Sequence, residues 1–545
     1  MQQTTSITPD KMDGQMTNCK TVGEKLVDLL EMRGVDTVFG IPGVHTVELY
    51  RGLKTSNIRH VTPRHELSAG FMADGYARAT GKPGVCLLIT GPGLTNAITA
   101  MAQARADSIP MLVISGVNCA QSHGHEEGLL HELPDQIGMM RTIAKFTHTL
   151  QSGKDLEPVL DRAFAAMLGG RPGPVHIEIP IDVMSEQIDI PVRSAQSVAK
   201  PHPDPALIAA AAQKLKQATR PVILAGGGCL DAEDVLRNLS HDLDAPVVTT
   251  INARGMLSGS PLAIPASPSL KAVRDLLAAA DVVLAIGTQF GPTDYDMYGD
   301  GQFPKLEKLI RIDTDPLQLT RGARSDIAIA ADADLALKAL HVQMNGAGCA
   351  QDGAARAKQA RDAAFAEIGP DYREGSDLIA KIAAAIPDVM MVGDSTQLVY
   401  AGNMYADVTG PRNWFNSATG YGSLGYGAPA AVGAKIGCPD RPVLCITGDG
   451  GFQFCLSELG TAMDGNAPVV FLVWNNSGYG EIEDYMVSNK IAPIGVRPSP
   501  PDFQKLAESY GLASRQILDI ADLPDAIATA VETKQPYLLE FVVER

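Results

Sequence analysis

Two strand-length apolar runs, residues 442–446 and 469–473, each end in a polar, glycine-bearing turn. The first turn reads Thr447-Gly448-Asp449-Gly450-Gly451 and the second Trp474-Asn475-Asn476-Ser477-Gly478. Neither run alternates apolar with polar residues, so both faces of each strand must be covered, as in a parallel sheet flanked by helices. This narrows the fold to an open α/β sheet and puts both turns at strand C-terminal ends, where such sheets bind ligands. Asp449 offers a hard carboxylate and Asn476 an amide oxygen. Such donors suit Mg²⁺, which takes its remaining ligands from water and phosphate. Gly448, Gly450 and Gly451 lack the side chains that would keep a diphosphate away from the backbone.

The same rhythm runs through the chain. Residues 22–32 carry apolar positions at helical spacing, and strand-like runs follow at 37–41, 85–89, 111–114 and 175–179. A Pro-punctuated polar stretch, 191–205, reads as a linker. A second unit opens at 221–225 with Gly226-Gly227-Gly228 behind it and continues through 282–287 and 309–313. A polar segment rich in Ala, Gly and Gln begins a second linker at 345–370, and a third unit carries 389–393 and the two turns above. A chain of 545 residues exceeds a single core. The expectation is α/β, with three doubly wound parallel-sheet domains over 20–190, 206–344 and 371–545, after a disordered tail at 1–19. The first and third units share this rhythm without a residue-level repeat.

Bulk properties exclude more than they identify. A net charge of −17 disfavours nucleic acid and anionic membrane as partners and suits a cationic substrate. Cysteines at 19, 86, 119, 229, 349, 438, 445 and 455 show no paired spacing, which fits reduced thiols and a cytoplasmic protein. No uninterrupted apolar segment of 18 residues appears, so no membrane-spanning helix is expected.

The Gly-Asp-Gly and Asn-Asn turns resemble the metal–diphosphate motif of thiamine diphosphate enzymes. That resemblance implies Asp449, Asn476 and Gly478 as Mg²⁺ ligands, with Gly448, Gly450, Gly451, Tyr479 and Gly480 around the cofactor. Arg64-His65-Glu66 resembles the segment bearing the family's activating glutamate, which makes Glu66 the catalytic carboxylate. Gly91-Pro92-Gly93-Leu94-Thr95-Asn96 resembles the turn bordering the pyrimidine ring, and Pro42, Gly93 and Asn96 join the cofactor set. The segment from Gly420 to Ala430 resembles the one beneath the cofactor's bend, with Leu424 as the wedge and the Gly422 carbonyl on the amino group. Ser395, Thr396 and Gln397 fall where relatives bind diphosphate oxygens. The resemblance implies a pyrimidine-binding first domain, a central domain and a diphosphate-binding third domain. It also implies active sites between subunits, with a homodimer as the minimum and a homotetramer as the expected assembly.

Within the superfamily the chain resembles 5-guanidino-2-oxopentanoate decarboxylases, which implies loss of CO₂ from a 2-oxo acid through a C2 ylide and an enamine. Acetolactate synthase-type carboligation, a transferase reaction, is the alternative. His131 stands where acetolactate synthases usually carry Gln, and their tryptophan shortly after Asn-Asn is absent. His45 and His131 are candidate catalytic proton donors or orienting groups. Glu481 and Glu483 are candidate substrate-binding carboxylates, because a carboxylate can pair with a guanidinium through two parallel hydrogen bonds. FAD, found in the central domain of true acetolactate synthases, has no flavin-specific basic contact here and is not the expectation.

Overall fold

The computed structural model describes residues 19–189, 193, 196, 198–295, 303–346, 348 and 350–543. The expected tail lies outside the described residues apart from Cys19, as do Cys349 and part of the 191–205 linker. The chain forms three α/β domains, each around a six-stranded sheet with parallel pairings. A short antiparallel pair, Lys20–Thr21 with Gln187–Ile188, ties the beginning of the first domain to its end.

The first sheet contains β1 (Thr37–Phe39), β2 (Arg59–Val61), β3 (Gly84–Leu88), β4 (Met111–Val117), β5 (Phe146–Thr149) and β6 (Pro174–Pro180), in the order β2-β1-β3-β4-β6-β5. The central sheet contains β7 (Pro221–Ala225), β8 (Val247–Thr249), β9 (Ala263–Ile264), β10 (Val282–Ile286), β11 (Leu309–Asp313) and β12 (Ile327–Ala330). Its order, β9-β8-β7-β10-β11-β12, is the doubly wound dinucleotide-fold order. The third sheet contains β13 (Met390–Gly393), β14 (Trp414–Asn416), β15 (Val443–Gly448), β16 (Val469–Asn475), β17 (Ala513–Ile517) and β18 (Tyr537–Val542). Its order, β14-β13-β15-β16-β18-β17, repeats that of the first sheet strand for strand. The two outer domains therefore share a topology that their residues do not advertise.

The unbroken apolar runs behave as expected. β15 and β16 are buried along their whole length and lie side by side, with Gly448 opposite Trp474. That register brings Asp449 and Asn476 out at the same edge.

Helices α1 (Glu66–Thr80) and α2 (Pro92–Asp107) pack beneath the first sheet, and α3 (Gln397–Met404) and α4 (Gly427–Gly437) pack on opposite faces of the third. α1 and α4 meet backbone to backbone. A side chain on Gly75 would begin 2.0 Å from the Ala430 carbonyl oxygen, and one on Gly433 would begin 2.0 Å from that of Met72. Beside this contact Arg78 is buried between Asp74 and Asp107, at 2.6 Å from each. The Tyr426 hydroxyl donates to Asp74 at 2.6 Å and the Thr419 hydroxyl to Asp107 at 2.8 Å. A buried charge is tolerated only when paired and hydrogen-bonded, and here both conditions hold.

One expectation is corrected. The segment 345–370 is no extended linker: it contains a helix, Gly353–Glu367, that buries Ala357, Ala360 and Ala364 against the central domain. Alanine has the best helix propensity, and an alanine stripe with Phe365 beside it docks a helix whose exposed face carries Lys358, Gln359 and Asp362. Among the described residues no helix is long and apolar enough to cross a membrane, and all seven described cysteines are free.

Candidate active site

The C-terminal edge of the third sheet gathers one set of the expected residues. Asp449 is fully buried, and its Oδ1 accepts the Asn476 backbone N–H at 3.2 Å. Its Oδ2 is buried with no hydrogen-bond partner. Burial pushes this carboxyl up, while surrounding backbone N–H groups pull it down. The Asn476 side-chain amide sits 2.8 Å from the Gly478 carbonyl oxygen and 3.2 Å from Asp449 Oδ1. With the amide oxygen turned toward them, three acceptors converge and repel one another unless a cation sits between them. Oxygens about 3 Å apart form the edges of an octahedron whose metal–oxygen distance is about 2.1 Å, the value for Mg²⁺. Turning the amide over would instead let its nitrogen donate to both oxygens, so the trio has one pairing with a cation and another without.

The two asparagines are separated by their surroundings. Asn475 turns into the sheet and donates to Glu540 at 2.8 Å, which leaves Asn476 for the turn. Ser477 and Gly478 both have positive φ, +60° and +142°, and a side chain on Gly478 would begin 2.4 Å from the Val496 carbonyl oxygen. Tyr479 lays its ring over Gly450, where a side chain would begin 2.6 Å from a ring carbon. Thr396 Oγ1 lies 3.0 Å from where a side chain on Gly448 would begin. Gln397 accepts from the Trp474 indole at 3.4 Å, and Ser395 donates its backbone N–H to Asp394 at 2.8 Å. Gly480 opens α6 (Gly480–Ser488), so Asp449, Asn476, Gly478, Tyr479, Gly448, Gly450, Ser395, Thr396 and Gln397 line one edge.

Gly451 brings in Asp394, which the sequence did not single out. The Asp394 carboxylate also accepts from Gly427 N at 3.2 Å, and a side chain on Gly451 would begin 3.3 Å from its carboxyl carbon. Burial pushes it up to about 6 against these backbone bonds. Asp394 thus joins the 394–397 loop to the start of α4. The segment before α4 carries Gly422, exposed at φ +75°, and half-buried Leu424. Helix α2 holds that segment, because the Ser423 N–H donates to Gln103 at 3.2 Å.

The first domain gathers the second set. Glu66 is the first residue of α1, capped by His65, whose Nδ1 accepts from Leu67 N at 3.1 Å. Asn96 donates to Glu66 Oε2 at 2.9 Å, and Oε1 lies 3.6 Å from where a side chain on Gly93 would begin. His45 is buried, and its Nε2 donates to Asn118 Oδ1 at 2.9 Å, which leaves Nδ1 as a buried acceptor with no partner. The His45 and His131 rings meet edge to face, 5.5 Å apart. His131 has φ +60°, and its carbonyl oxygen lies 2.6 Å from where a side chain on Gly91 would begin. Gln136, missed in the sequence, accepts from Thr90 Oγ1 at 2.8 Å and Gly91 N at 3.1 Å and donates to Glu178 at 2.9 Å. It holds the turn that leads to Gly93. Pro42 is exposed in the loop between β1 and His45.

Glu481 and Glu483 part company. Glu483 is buried and committed to Arg497, whose Nε donates to its two oxygens at 3.0 and 3.1 Å. The expectation that it faces a substrate is therefore corrected: an arginine brought back by the following loop takes the bidentate position. Glu481 is exposed on α6. Burial, with the Glu481 charge adding to it, pushes Tyr372 up to about 12, and Tyr400 is raised for the same reasons. Glu481 is thus within electrostatic reach of both phenols.

In the central domain the glycine triplet is taken up by packing. Side chains on Gly226 and Gly228 would begin 2.2 Å from the Gly287 carbonyl oxygen and 2.8 Å from its Cα. These glycines serve a close approach of two strand ends rather than an open cradle for a pyrophosphate.

Three family models match the chain. They are the N-terminal TPP binding domain of thiamine pyrophosphate enzymes over residues 20–139, the central domain over 208–340 and the C-terminal TPP binding domain over 394–541. A probable 2-ketoarginine decarboxylase of Pseudomonas aeruginosa is 44% identical over 509 residues, covering 92% of this chain and 90% of that protein. A probable acetolactate synthase large subunit of Methanococcus aeolicus is 32% identical over 556 residues, 96% of this chain and 92% of that protein. Acetolactate synthase isozyme 1 large subunit of Escherichia coli is 31% identical over 540 residues, covering 96% and 94% respectively. The chain belongs to the thiamine pyrophosphate enzymes, and thiamine diphosphate is the cofactor that its two outer domains bind.

Burial, aided by the charge of neighbouring His131, holds the His45 imidazole below its ordinary 6.5, while the Asn118 bond opposes the shift. In an NMR titration of labelled histidine, His45 should be mostly neutral at pH 6.5, and His131→Asn should move its midpoint upward. A midpoint at or above the ordinary value would overturn this reading.

Proposed function

We propose that this chain catalyses the thiamine diphosphate- and Mg²⁺-dependent, non-oxidative decarboxylation of a 2-oxo acid, with 5-guanidino-2-oxopentanoate as the substrate. One proton is taken up, and 4-guanidinobutanal and CO₂ are the products. The observation that carries this reading is the 44% identity, over 92% of the chain, to a protein named as a probable decarboxylase of 2-ketoarginine, the same guanidino 2-oxo acid. The acetolactate synthases match at 31–32%. The exposed carboxylate of Glu481, within electrostatic reach of Tyr372 and Tyr400, supports it with an anion for the guanidinium.

Bound thiamine diphosphate would supply the electron sink for the pair released as CO₂ leaves. The chain's own residues do the rest. Asp449, Asn476 and the Gly478 carbonyl would hold Mg²⁺. The backbone at Gly448, Gly450, Gly451 and Gly480, the Tyr479 ring and the side chains of Ser395, Thr396 and Gln397 would hold the diphosphate. Glu66, steered by Asn96, would exchange a proton with the pyrimidine ring, bordered by Pro42 and Gly93. The Gly422 carbonyl would orient the ring's amino group against Leu424. His45, with a free buried acceptor, and His131 would hold or deliver the proton that completes the aldehyde.

Glu66 and Asp449 are carried by different domains. Exposed apolar side chains rim both: Val44 (67%) and Leu130 (63%) on the first domain, and Tyr485 (68%) and Ile494 (78%) on the third. Large apolar residues exposed together mark an interaction surface. We propose that these rims meet between subunits, so that the pyrimidine half of one chain completes the diphosphate half of another. The working assembly is then at least a homodimer, and a homotetramer by family resemblance. Sedimentation of the 57.6 kDa chain should give a dimer or a larger even assembly, whereas a fully active monomer would overturn the arrangement.

Metal removal should abolish thiamine diphosphate binding reversibly. Asp449→Asn should weaken it by about 100-fold or more in calorimetry, since it removes the negative charge of a direct ligand rather than of a supporting group. Unchanged affinity would rule out the trio as the metal site.

A substrate panel of pyruvate, 3-methyl-2-oxobutanoate, phenylpyruvate and 5-guanidino-2-oxopentanoate, followed for both CO₂ and organic product, tests the reaction. The guanidino acid should be preferred, and Glu481→Gln should cut its kcat/KM about 10-fold or more while sparing neutral substrates. Efficient acetolactate formation from pyruvate would favour carboligation instead.

A further inference from the structure

The lead-in to Glu66 is held by a residue of the other outer domain. Glu458 is the first residue of α5 (Glu458–Asp464), six positions beyond the short helix Asp449–Phe452. A glutamate at that position ordinarily lies in solvent, favoured by its own helix dipole. Glu458 is instead fully buried and reaches across the domain boundary. Its two oxygens accept the main-chain N–H of Arg64 at 3.1 and 3.2 Å. Its Oε2 also accepts the Thr461 hydroxyl at 2.6 Å, and the Ser68 hydroxyl lies near enough to help draw the same carboxyl down. Arg64 is two residues before Glu66 and Ser68 two residues after it, so the one carboxylate brackets the candidate catalytic acid.

Neighbouring contacts reinforce the bracket. The Arg64 guanidinium donates to Asp464 at 2.7 Å and lies over Gly460, where a side chain would begin 3.0 Å from it. Arg59 donates to the Gly465 carbonyl at 2.6 Å. The whole turn between β2 and α1 therefore rests on α5. Apolar packing would suffice to dock two domains. A buried carboxylate costs desolvation that only well-formed hydrogen bonds offset, and what it adds is direction. Here the direction fixes the backbone on both sides of Glu66, while Asn96 fixes its carboxylate.

We infer that Glu458 is a positioning residue for thiamine activation, through which the diphosphate domain of a chain aligns the Glu66 carboxylate of the same chain. The inference rests on the proposed role of Glu66. Displacing a catalytic group by about 1 Å can cost about 100-fold in rate, so the alignment is functionally consequential.

The test uses the full-length protein with thiamine diphosphate and Mg²⁺ and reads deuterium exchange at the cofactor's C2–H by NMR after rapid quench. It is paired with amide hydrogen exchange across residues 64–68 in the cofactor-free protein. Glu458→Gln keeps the size and loses one acceptor oxygen. It should slow C2–H exchange by about 10–100-fold, deprotect the Arg64 amide and change cofactor affinity by less than about 3-fold. Glu66→Gln should slow exchange further, and the double variant should match Glu66→Gln alone, because Glu458 acts through Glu66. Ser68→Ala removes one arm of the bracket and should give a smaller loss of the same kind, which keeps the test decisive if Glu458→Gln folds poorly. Parent-like C2–H exchange in folded Glu458→Gln or in Ser68→Ala, with Glu66→Gln impaired, would overturn the positioning role alone. Parent-like exchange in Glu66→Gln would overturn the role of Glu66 and the inference with it.

Discussion

The backbone contact between α1 and α4 is the constraint on which the rest of the molecule depends. Gly75 and Gly433 let each helix approach the other's carbonyl groups, with no room for a side chain. Once the helices lie that close, the first and third domains are fixed against each other. The carboxylates beside the contact can then be shared across the boundary. Asp74 and Asp107 hold Tyr426 and Thr419, and Glu458 holds Arg64. The traffic runs both ways: the first domain clamps the loop that carries Gly422 and Leu424, and the third domain clamps the turn that carries Glu66. A single side chain at either glycine would disturb both.

The meeting of Asp449, Asn476 and Gly478 follows from a simpler source. Two parallel strands in register end together, so the residues just past them meet whatever their separation along the chain. The unusual backbone at Ser477 and Gly478 then turns a carbonyl oxygen toward Asn476 and Asp449. The result is a concentration of oxygen acceptors, including the buried and unpaired Asp449 Oδ2, that a divalent cation would neutralise.

Much of this was legible in the residues because the signals were local. The apolar runs announced buried parallel strands, and their polar turns announced a ligand edge. The Gly-Pro-Gly turn and the Arg-His-Glu segment stood out for the same reason. What escaped depended on distant partners. Glu458 reads as an ordinary acidic first turn, and its acceptor role appears only when a residue 394 positions away arrives. Glu483 reads like Glu481 until Arg497 folds back onto it. The helix at Gly353–Glu367 hid in a polar, alanine-rich segment because its burial needs only a thin stripe.

The chain by itself determined the kind of element at each place and the chemistry at strand ends, since periodicity and turn residues act over a few positions. It determined the resemblance to thiamine diphosphate enzymes for the same reason, through short motifs. Only the tertiary structure decided that the two outer sheets share one strand order, that Asn476 rather than Asn475 faces Asp449, and that Glu458 holds Arg64. Those outcomes depend on which strands pair and which helices touch. Such choices are set by summed burial and close packing across the whole chain, which no local pattern encodes.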